Sequence, residues 1–493
     1  VGLVIALQGS LAAAAGAISE GGASLPELFG ADGYVTLPAL GGGWPAGAVT
    51  TVTGAAGTQV DGGLGAWAAA IPQSARVVVF VLLGLGFLVK MGAIVMHIWL
   101  PDAYAEADNE VTPFFSSSLS KAGLFGVILL LVLVGAPALG GGGAGLRLNV
   151  ILGWVGALTA LFGALLAIFQ EDVKQLLAYS SLSQLGYMVL GISLATHLGW
   201  VAGVYLAVIH FIFKGLLFIG MTGVIHRSGT RNMYEMGGLI KRMPLTFIAV
   251  LMSIIALSGV PPLAGFGGKW LIYGALMESG WWVQTGVAFF ASTIAFLYLY
   301  RMIQTVFLGQ LKDNLREVKE APLPILIPLV ILMGALMAVS MYPNLILKPI
   351  MGAIEPFLAS TVQWDDYTVI TTLGYWNGNL VMYVTMGVFA LPLIWLIVVM
   401  RRPQKVKQFN IVFAAERPSR PETTHFAHNF FAPYRKALGF MTAPAVSRAW
   451  KFVSDGVLAL GGTIRQLYTG NGQTYALHIL LLTVVLYLVT GGI

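Results

Sequence analysis

Apolar runs of about 18 residues or more recur along this 493-residue chain, and that recurrence limits its fold more than any single motif does. A bilayer core offers the backbone no water to bond, so a chain crosses it only as helices or as a closed barrel. A helix needs about 20 apolar residues for a core of about 30 Å, and a barrel strand about half as many. The runs fit helices. Charged residues make up only 10% of the chain and hydrophobic ones 57%, with a mean hydropathy of +0.82, whereas soluble domains carry roughly a quarter charged residues. The expected fold is an all-α integral membrane protein, a polytopic helix bundle.

Spans fall near 77–100, 113–135, 149–169, 176–196, 200–225, 243–278, 282–308, 322–343, 379–400 and 475–491. Residues 1–76 hold a partial apolar segment, 1–17, and a Gly/Ala-rich loop, 19–70. The chain begins at Val1 inside that apolar segment, which reads as a fragment or a processed product. The membrane core is expected over 77–343, a loop and one further span over 344–400, an extramembrane segment over 401–474 and a last span over 475–493. Within 401–474, His425, His428, Arg435, Lys436, Arg448, Lys451 and Arg465 mix with Phe430, Phe431, Phe440, Trp450 and Phe452. Residues 444–468 read as an amphipathic helix on the membrane or on a partner, with an ordinary loop as the alternative.

Loop charges orient the chain. Arg227, Arg231, Lys241 and Arg242, then Lys312, Arg316 and Lys319, then Arg401, Arg402, Lys405 and Lys407 collect on one side. The other side has little beyond Arg147 and Lys348. The positive-inside rule places the first side in the cytoplasm, in a multi-pass protein of the cytoplasmic membrane. The pI near 9.3 thus reflects orientation in lipid and not nucleic-acid binding. With no cysteine in the chain, disulfides, thiolate metal sites and cysteine-held clusters are excluded. Neither a metal nor a cofactor is expected.

The 243–278 run would make a helix of about 54 Å, too long for one straight crossing. Pro261 and Pro262, followed by Gly265, Gly267 and Gly268, point to a break whose second half opens on an irregular Gly-rich turn. Broken helices are tolerated at membrane depth where protein covers them or water lines them.

Cations inside the apolar runs carry the functional signal. Lys90 lies in the first span, where a charge costs several kcal/mol, about 3 on insertion scales, unless it pairs, moves protons or snorkels to the interface. Lys90 and His97 are two helical turns apart and are expected to share a face. Lys121 follows in the next span, His210 and Lys214 are spaced i,i+4, and Lys269 follows the Gly-rich break. A series on successive helices is the pattern of a proton relay, since desolvation makes a lysine proton easier to lose and histidine titrates near neutrality. Ser116, Ser118, Ser120, Ser180, Ser181 and Ser183 could hold connecting water, although helical serines also bond back to their own helix. Asp102, Glu106, Asp108 and Glu110 read as a solvated loop or a proton funnel. Asp172 and Lys174 read as local caps or an entry point.

Several stretches resemble a known family. Lys90-Met91 with His97-Ile98-Trp99-Leu100-Pro101-Asp102-Ala103 resembles a motif of the antiporter-like subunits of respiratory complex I and of Mrp cation/proton antiporters. So do Asp172 to Ser181 with Gln184-Leu185-Gly186-Tyr187, the stretch His210 to Phe218, and the Pro-Pro-Leu-Ala-Gly-Phe break. The resemblance covers about Ser74 to Gln310. Arg465-Gln466-Leu467-Tyr468-Thr469-Gly470-Asn471 is most similar to large antiporter-like subunits of membrane-bound hydrogenase-type complexes.

The resemblance implies inverted five-helix repeats, each with a broken helix. It makes Lys90 the lysine of the first break, Lys121 the connecting lysine, Lys269 the outer lysine, and His210 and Lys214 the central pair. Gly92 and Val95 stand where the family has prolines, so a less sharp first break is expected. The family pairs its first lysine with a glutamate on an earlier helix. The upstream acids Glu20, Glu27, Asp32 and Asp61 all lie outside apolar helices, so most of the first repeat is expected to be missing or supplied by another polypeptide.

The leading expectation is a proton-translocating subunit of a multi-subunit membrane complex, of the NADH-quinone oxidoreductase or hydrogenase kind, without a redox centre of its own. Its partners would be other membrane subunits, lipid and protons. The alternatives are a Na+/H+ antiporter subunit without a redox partner, and an energy-coupling partner of a soluble enzyme such as a carbon-uptake system.

Overall fold

The computed structural model describes residues 73–134, 148–309, 311–358, 360, 362–365, 368–399, 432–442, 445–466 and 472–489. The expectations for 1–72, Arg147, Arg401 to Lys407, His425, His428, Phe430, Phe431 and 467–471 lie outside them. Five helical stretches among the described residues are long and apolar enough to cross a bilayer: Thr112–Leu131, Leu148–Ile168, His197–Ser228, Trp282–Leu308 and Leu323–Met341.

The chain divides into two compact units, Val1–Ala437 and Leu438–Ile493. The first opens with α1 (Gln73–Met91) and α2 (Trp99–Glu106). Gly92 and Val95 both adopt positive φ, 72° and 75°, so α1 stops at Met91 instead of running through. The expectation of a less sharp first break is therefore corrected: a left-handed glycine ends a helix as effectively as a proline. Lys90 and His97 consequently do not share a helix face.

A short turn (Thr112–Phe114) and a π-helical turn (Phe115–Leu119) lead into α3 (Lys121–Val134). Then come α4 (Leu148–Ile168), α5 (Val173–Ser193) and the long α6 (His197–Ser228). Asp172 caps α5, accepting from the backbone N–H groups of Lys174 at 2.7 Å and Gln175 at 3.3 Å. Helix α5 is buried along nearly its whole length, so its many serines face protein and not lipid. It packs tightly on α4, because Gly156 and Gly186 let the two backbones approach where any Cβ would strike the facing chain.

The second break joins α7 (Pro244–Ser258) to α8 (Ala264–Glu278). Gly259 ends α7 at φ 74°. The irregular part is 259–263, and Gly265, Gly267 and Gly268 are helical, which corrects the expected Gly-rich turn. Gly265 lies against the Ala256 backbone, Gly267 against the Trp376 ring and Gly268 against Leu206. The glycines therefore serve close packing and not irregularity.

Helix α9 (Trp282–Ile303) continues into a second π-helical turn, and α10 (Leu323–Met341) and α11 (Asn344–Ile354) follow. The loop beyond α11 contains a small antiparallel sheet that hydropathy alone does not signal, in the order β1 (Gln363–Asp365), β2 (Thr368–Thr371), β3 (Gly374–Asn377). Val369 pairs with Trp376 in its register. Both are buried, since the sheet lays one face on the bundle. Helices α12 (Gly378–Val399) and α13 (Ala432–Thr442) follow. The second unit holds α14 (Ala445–Gln466) and α15 (Gly472–Val489).

Candidate functional site

The polar interior of the first unit is built around α5 and α6. Lys214 and Lys269 are 0% and 4% exposed and His210 is 0% exposed, so these groups are removed from water by the packing of α5, α6 and α8. Lys121 is half-buried beside them. No Asp or Glu is buried among the described residues. Carbonyls, hydroxyls and an imidazole solvate the cations instead.

The π-helical turn places Lys121 one residue beyond Ser120, whose N–H reaches back to the Phe115 carbonyl at 3.2 Å. Such bulges often mark functional positions in helices. The Lys121 ammonium donates to the Ser116 carbonyl at 2.6 Å and to Ser120 Oγ at 3.2 Å, and it meets His210 Nδ1 at 2.6 Å. With the ammonium donating, the imidazole is neutral and carries its proton on Nε2, an atom with no protein partner among the described residues. A proton can therefore sit on either side of the Lys121–His210 contact.

One turn further along α6, Lys214 donates to the Leu177 carbonyl at 3.0 Å and to Ser180 Oγ at 2.5 Å, with its ammonium 5.6 Å from the Phe218 ring centre. Ser116 Oγ and Ser181 Oγ are 2.8 Å apart, which ties the Lys121 turn to α5, whose Leu177 and Ser180 accept from Lys214. Ser120, Ser181 and Ser183 each also bond a backbone carbonyl. Ser120 and Ser181 donate to carbonyls four residues back, at 2.8 and 2.9 Å. Ser183 donates to the Ala160 carbonyl of α4 at 2.8 Å, away from the lysines.

Lys269 reaches back across the break. Its ammonium donates to the carbonyl of Ser258, the last residue of α7, at 2.9 Å and to Ser292 Oγ of α9 at 2.7 Å. It lies 5.3 Å from the Tyr187 ring centre. A cation at a helix C-terminus is favoured by the free carbonyls there. Gly259 makes this possible, because a Cβ at that position would crowd the Lys269 stem.

One face of α5 reaches from Lys214, bonded to Ser180, to Lys269, which lies over the Tyr187 ring. Ser180, Gln184 and Tyr187 are spaced i, i+4, i+7 and lie on one face over about 10 Å of helix. Gln184 is buried, and neither its amide oxygen nor its nitrogen has a protein partner among the described residues. The hydroxyls of Tyr205 and Tyr298 are also buried without one. Buried groups of this kind are normally solvated by internal water. Gln184 and Tyr187 fall within the motif that carries the family resemblance, but neither they nor Ser258, Ser292 and Trp376 stand out in the charge pattern of the sequence.

The other candidate residues stand apart. Lys90 is exposed near the end of α1. His97 is buried in the first break, its Nδ1 without a partner among the described residues and its ring edge-on to Tyr179 at 6.3 Å. Lys174, 3% exposed, donates to the Ala107 carbonyl at 2.5 Å and to Asn109 Oδ1 at 3.2 Å. Asp172 and Glu106 both pair with Arg231, at 3.1 and 3.2 Å. These contacts bring the α2–α3, α4–α5 and α6–α7 connections together at one end of the bundle. Asp102, Glu106, Asp108 and Glu110 are exposed there.

The family described as "NADH:quinone oxidoreductase/Mrp antiporter, TM" matches residues 49–295. NADH-quinone oxidoreductase subunit N of Desulforudis audaxviator is 34% identical over 230 residues, 47% of this chain and 45% of that protein. A Na+/H+ antiporter subunit of Alkalihalophilus pseudofirmus is 32% identical over 342 residues, 63% of this chain and 41% of that protein. The chain thus spans less than half the length of both. A chain of the solved membrane-bound sulfane sulfur reductase, an archaeal respiratory membrane complex, superposes with a TM-score of 0.73 at 29% identity, covering 86% of this chain and 70% of that one. With the matched region containing both broken helices and every lysine of the cluster just described, the chain belongs to the NADH:quinone oxidoreductase/Mrp antiporter family of membrane proteins.

Proposed function

We propose that this chain passes protons through the membrane interior along Lys121, His210, Lys214 and Lys269, as a subunit of a multi-subunit complex in the cytoplasmic membrane. The observation that carries the reading is the 2.6 Å contact between Lys121 and His210, within a set of sequestered cations that has no buried carboxylate among the described residues. In such a setting a proton on one group raises the energy of a proton on its neighbour. Loading one end therefore favours release at the other. Lys90 joins the series as its first member when a further helix covers it. Asp172 and Lys174 hold the α5 entry in place.

The likeness to an NADH-quinone oxidoreductase subunit supports an NADH-quinone oxidoreductase-like translocase, with the driving redox chemistry in other subunits. Exchange of sodium for protons is the second reading, favoured by the likeness to the Na+/H+ antiporter subunit. A sodium site takes hard oxygen ligands, usually carboxylates, and the buried set here is cationic. The test is proton transport by the assembled complex in vesicles, read with a pH-sensitive dye. Lys121→Ala and Lys269→Ala are each expected to abolish transport while assembly persists. Full transport by either variant refutes the relay, and transport that requires sodium selects the second reading.

A further inference from the structure

A cavity of about 310 Å³ opens at the end of the first unit where α4, α9 and α13 meet. It belongs to none of the relay residues. Its walls include Arg301, Arg435 and Lys436 against one carboxylate, Glu171, with Ile168 and Phe169 supplying apolar surface. Cations therefore outnumber the anion in the wall. Arg301, 5% exposed, forms the floor, and Arg435 and Glu171, with side chains 56% and 52% exposed, form the rim. Arg435 and Glu171 are 3.8 Å apart, a loose pair. Arg301 donates to the Gln170 carbonyl and Arg435 to the Phe169 carbonyl at 3.3 Å. Each guanidinium carries its N–H donors in a planar fork. Bonds to these neighbouring helix-end carbonyls hold both forks in fixed orientation, which lowers the cost of ordering them around an anion.

We propose that this cavity binds the phosphate of an anionic phospholipid. Arginine forks match phosphate oxygens in pairs, and a flexible lysine adds a point charge. A lipid fits better than a free ion because the basic end adjoins apolar surface. Besides Ile168 and Phe169 in the wall, the helix that carries Arg301 presents Phe289, Phe290, Phe296, Leu297 and Tyr300 as exposed residues. Acyl chains would lie along such a face with the headgroup at Arg301. Basic pockets between membrane helices, on the side of the basic loops, recognise lipid headgroups in this way. Arg301 lies in the last turn of α9, and the chain leads on towards Lys312 and Arg316, in a loop of the basic side by sequence.

The test uses the purified complex in uncharged detergent, titrated with labelled phosphatidylglycerol, phosphatidylcholine or inorganic phosphate. Arg435→Gln combined with Lys436→Gln is expected to weaken phosphatidylglycerol binding roughly 25-fold, at about a fivefold loss per cation, with phosphatidylcholine unaffected. Glu171→Gln, which removes the opposing charge, is expected to strengthen it. A purely structural role for these side chains would not reverse sign in that way. Equal binding of phosphatidylglycerol by the double variant and the parent protein overturns the site. Displacement of the lipid by equimolar inorganic phosphate overturns the lipid assignment and makes free phosphate the ligand. Loss of lipid binding leaves the lysine relay untouched, so the two proposals fail separately.

Discussion

The two broken helices begin alike and end differently. Each is cut by a glycine in the left-handed region directly after the last helical residue, Gly92 at φ 72° and Gly259 at φ 74°. Each has a lysine within a few turns of the cut. Lys90 lies before its break and is exposed; Lys269 lies after its break, is 4% exposed and bonds the carbonyl that the break sets free. The difference comes from the neighbours. Helices α5, α6, α9 and the small sheet surround α8, whereas α3 is the main packing partner of α1 among the described residues. A broken helix creates free carbonyls, but only packing on all sides turns a nearby lysine into a buried, solvated charge.

Variants at the two breaks test this contrast. The largest effect is expected at the ammonium itself: Lys269→Ala lowers vesicle proton transport by about 100-fold or more, the usual scale for losing a positioned proton carrier. The glycines come next. Gly259→Ala and Gly92→Ala should each cost about 1–3 kcal/mol in detergent unfolding, because alanine is strained at positive φ. Only Gly259→Ala should also impair transport strongly, since only there does the added methyl meet a relay lysine. Equal transport losses would break the contrast.

Gln184→Leu should slow transport about tenfold with stability unchanged or raised, because an apolar side chain removes two buried polar atoms that have no protein partner among the described residues. Unchanged transport would remove Gln184 from the proposed path. Ser292→Ala deletes one hydrogen bond to a charged donor and should destabilise the chain by about 1.5–3 kcal/mol at most, with a few-fold change in transport. Lys90→Ala is expected to have the smallest effect on stability, within about 0.5 kcal/mol, as at other exposed positions. A larger loss seen only in the assembled complex would mean that another helix covers Lys90 there.

Much of this arrangement is legible locally. The apolar runs report helices, and the placement of Lys121, His210, Lys214 and Lys269 inside them marks charges with no inexpensive place in lipid. The Pro-Pro pair locates the second break. The first break escapes for a local reason as well: Gly92 reads as milder than a proline, although its freedom at positive φ stops a helix outright. The stretch from Gly265 to Gly268 misleads in the opposite sense, because glycine signals both irregular backbone and close packing.

What the sequence determined by itself is therefore the class of structure and the inventory of cations within the apolar runs, because hydropathy and the cost of charge act over a span of about 20 residues. Tertiary structure decided which of those cations meet. Lys121 touches His210 across 89 positions of chain and Lys269 touches Ser292 across 23, while Lys90 stays exposed on α1. Such contacts depend on how helices rotate and approach, here through the Gly156–Gly186 crossing and the π-helical turn before Lys121. No local periodicity encodes that rotation; it is set by the packing of one helix on the next.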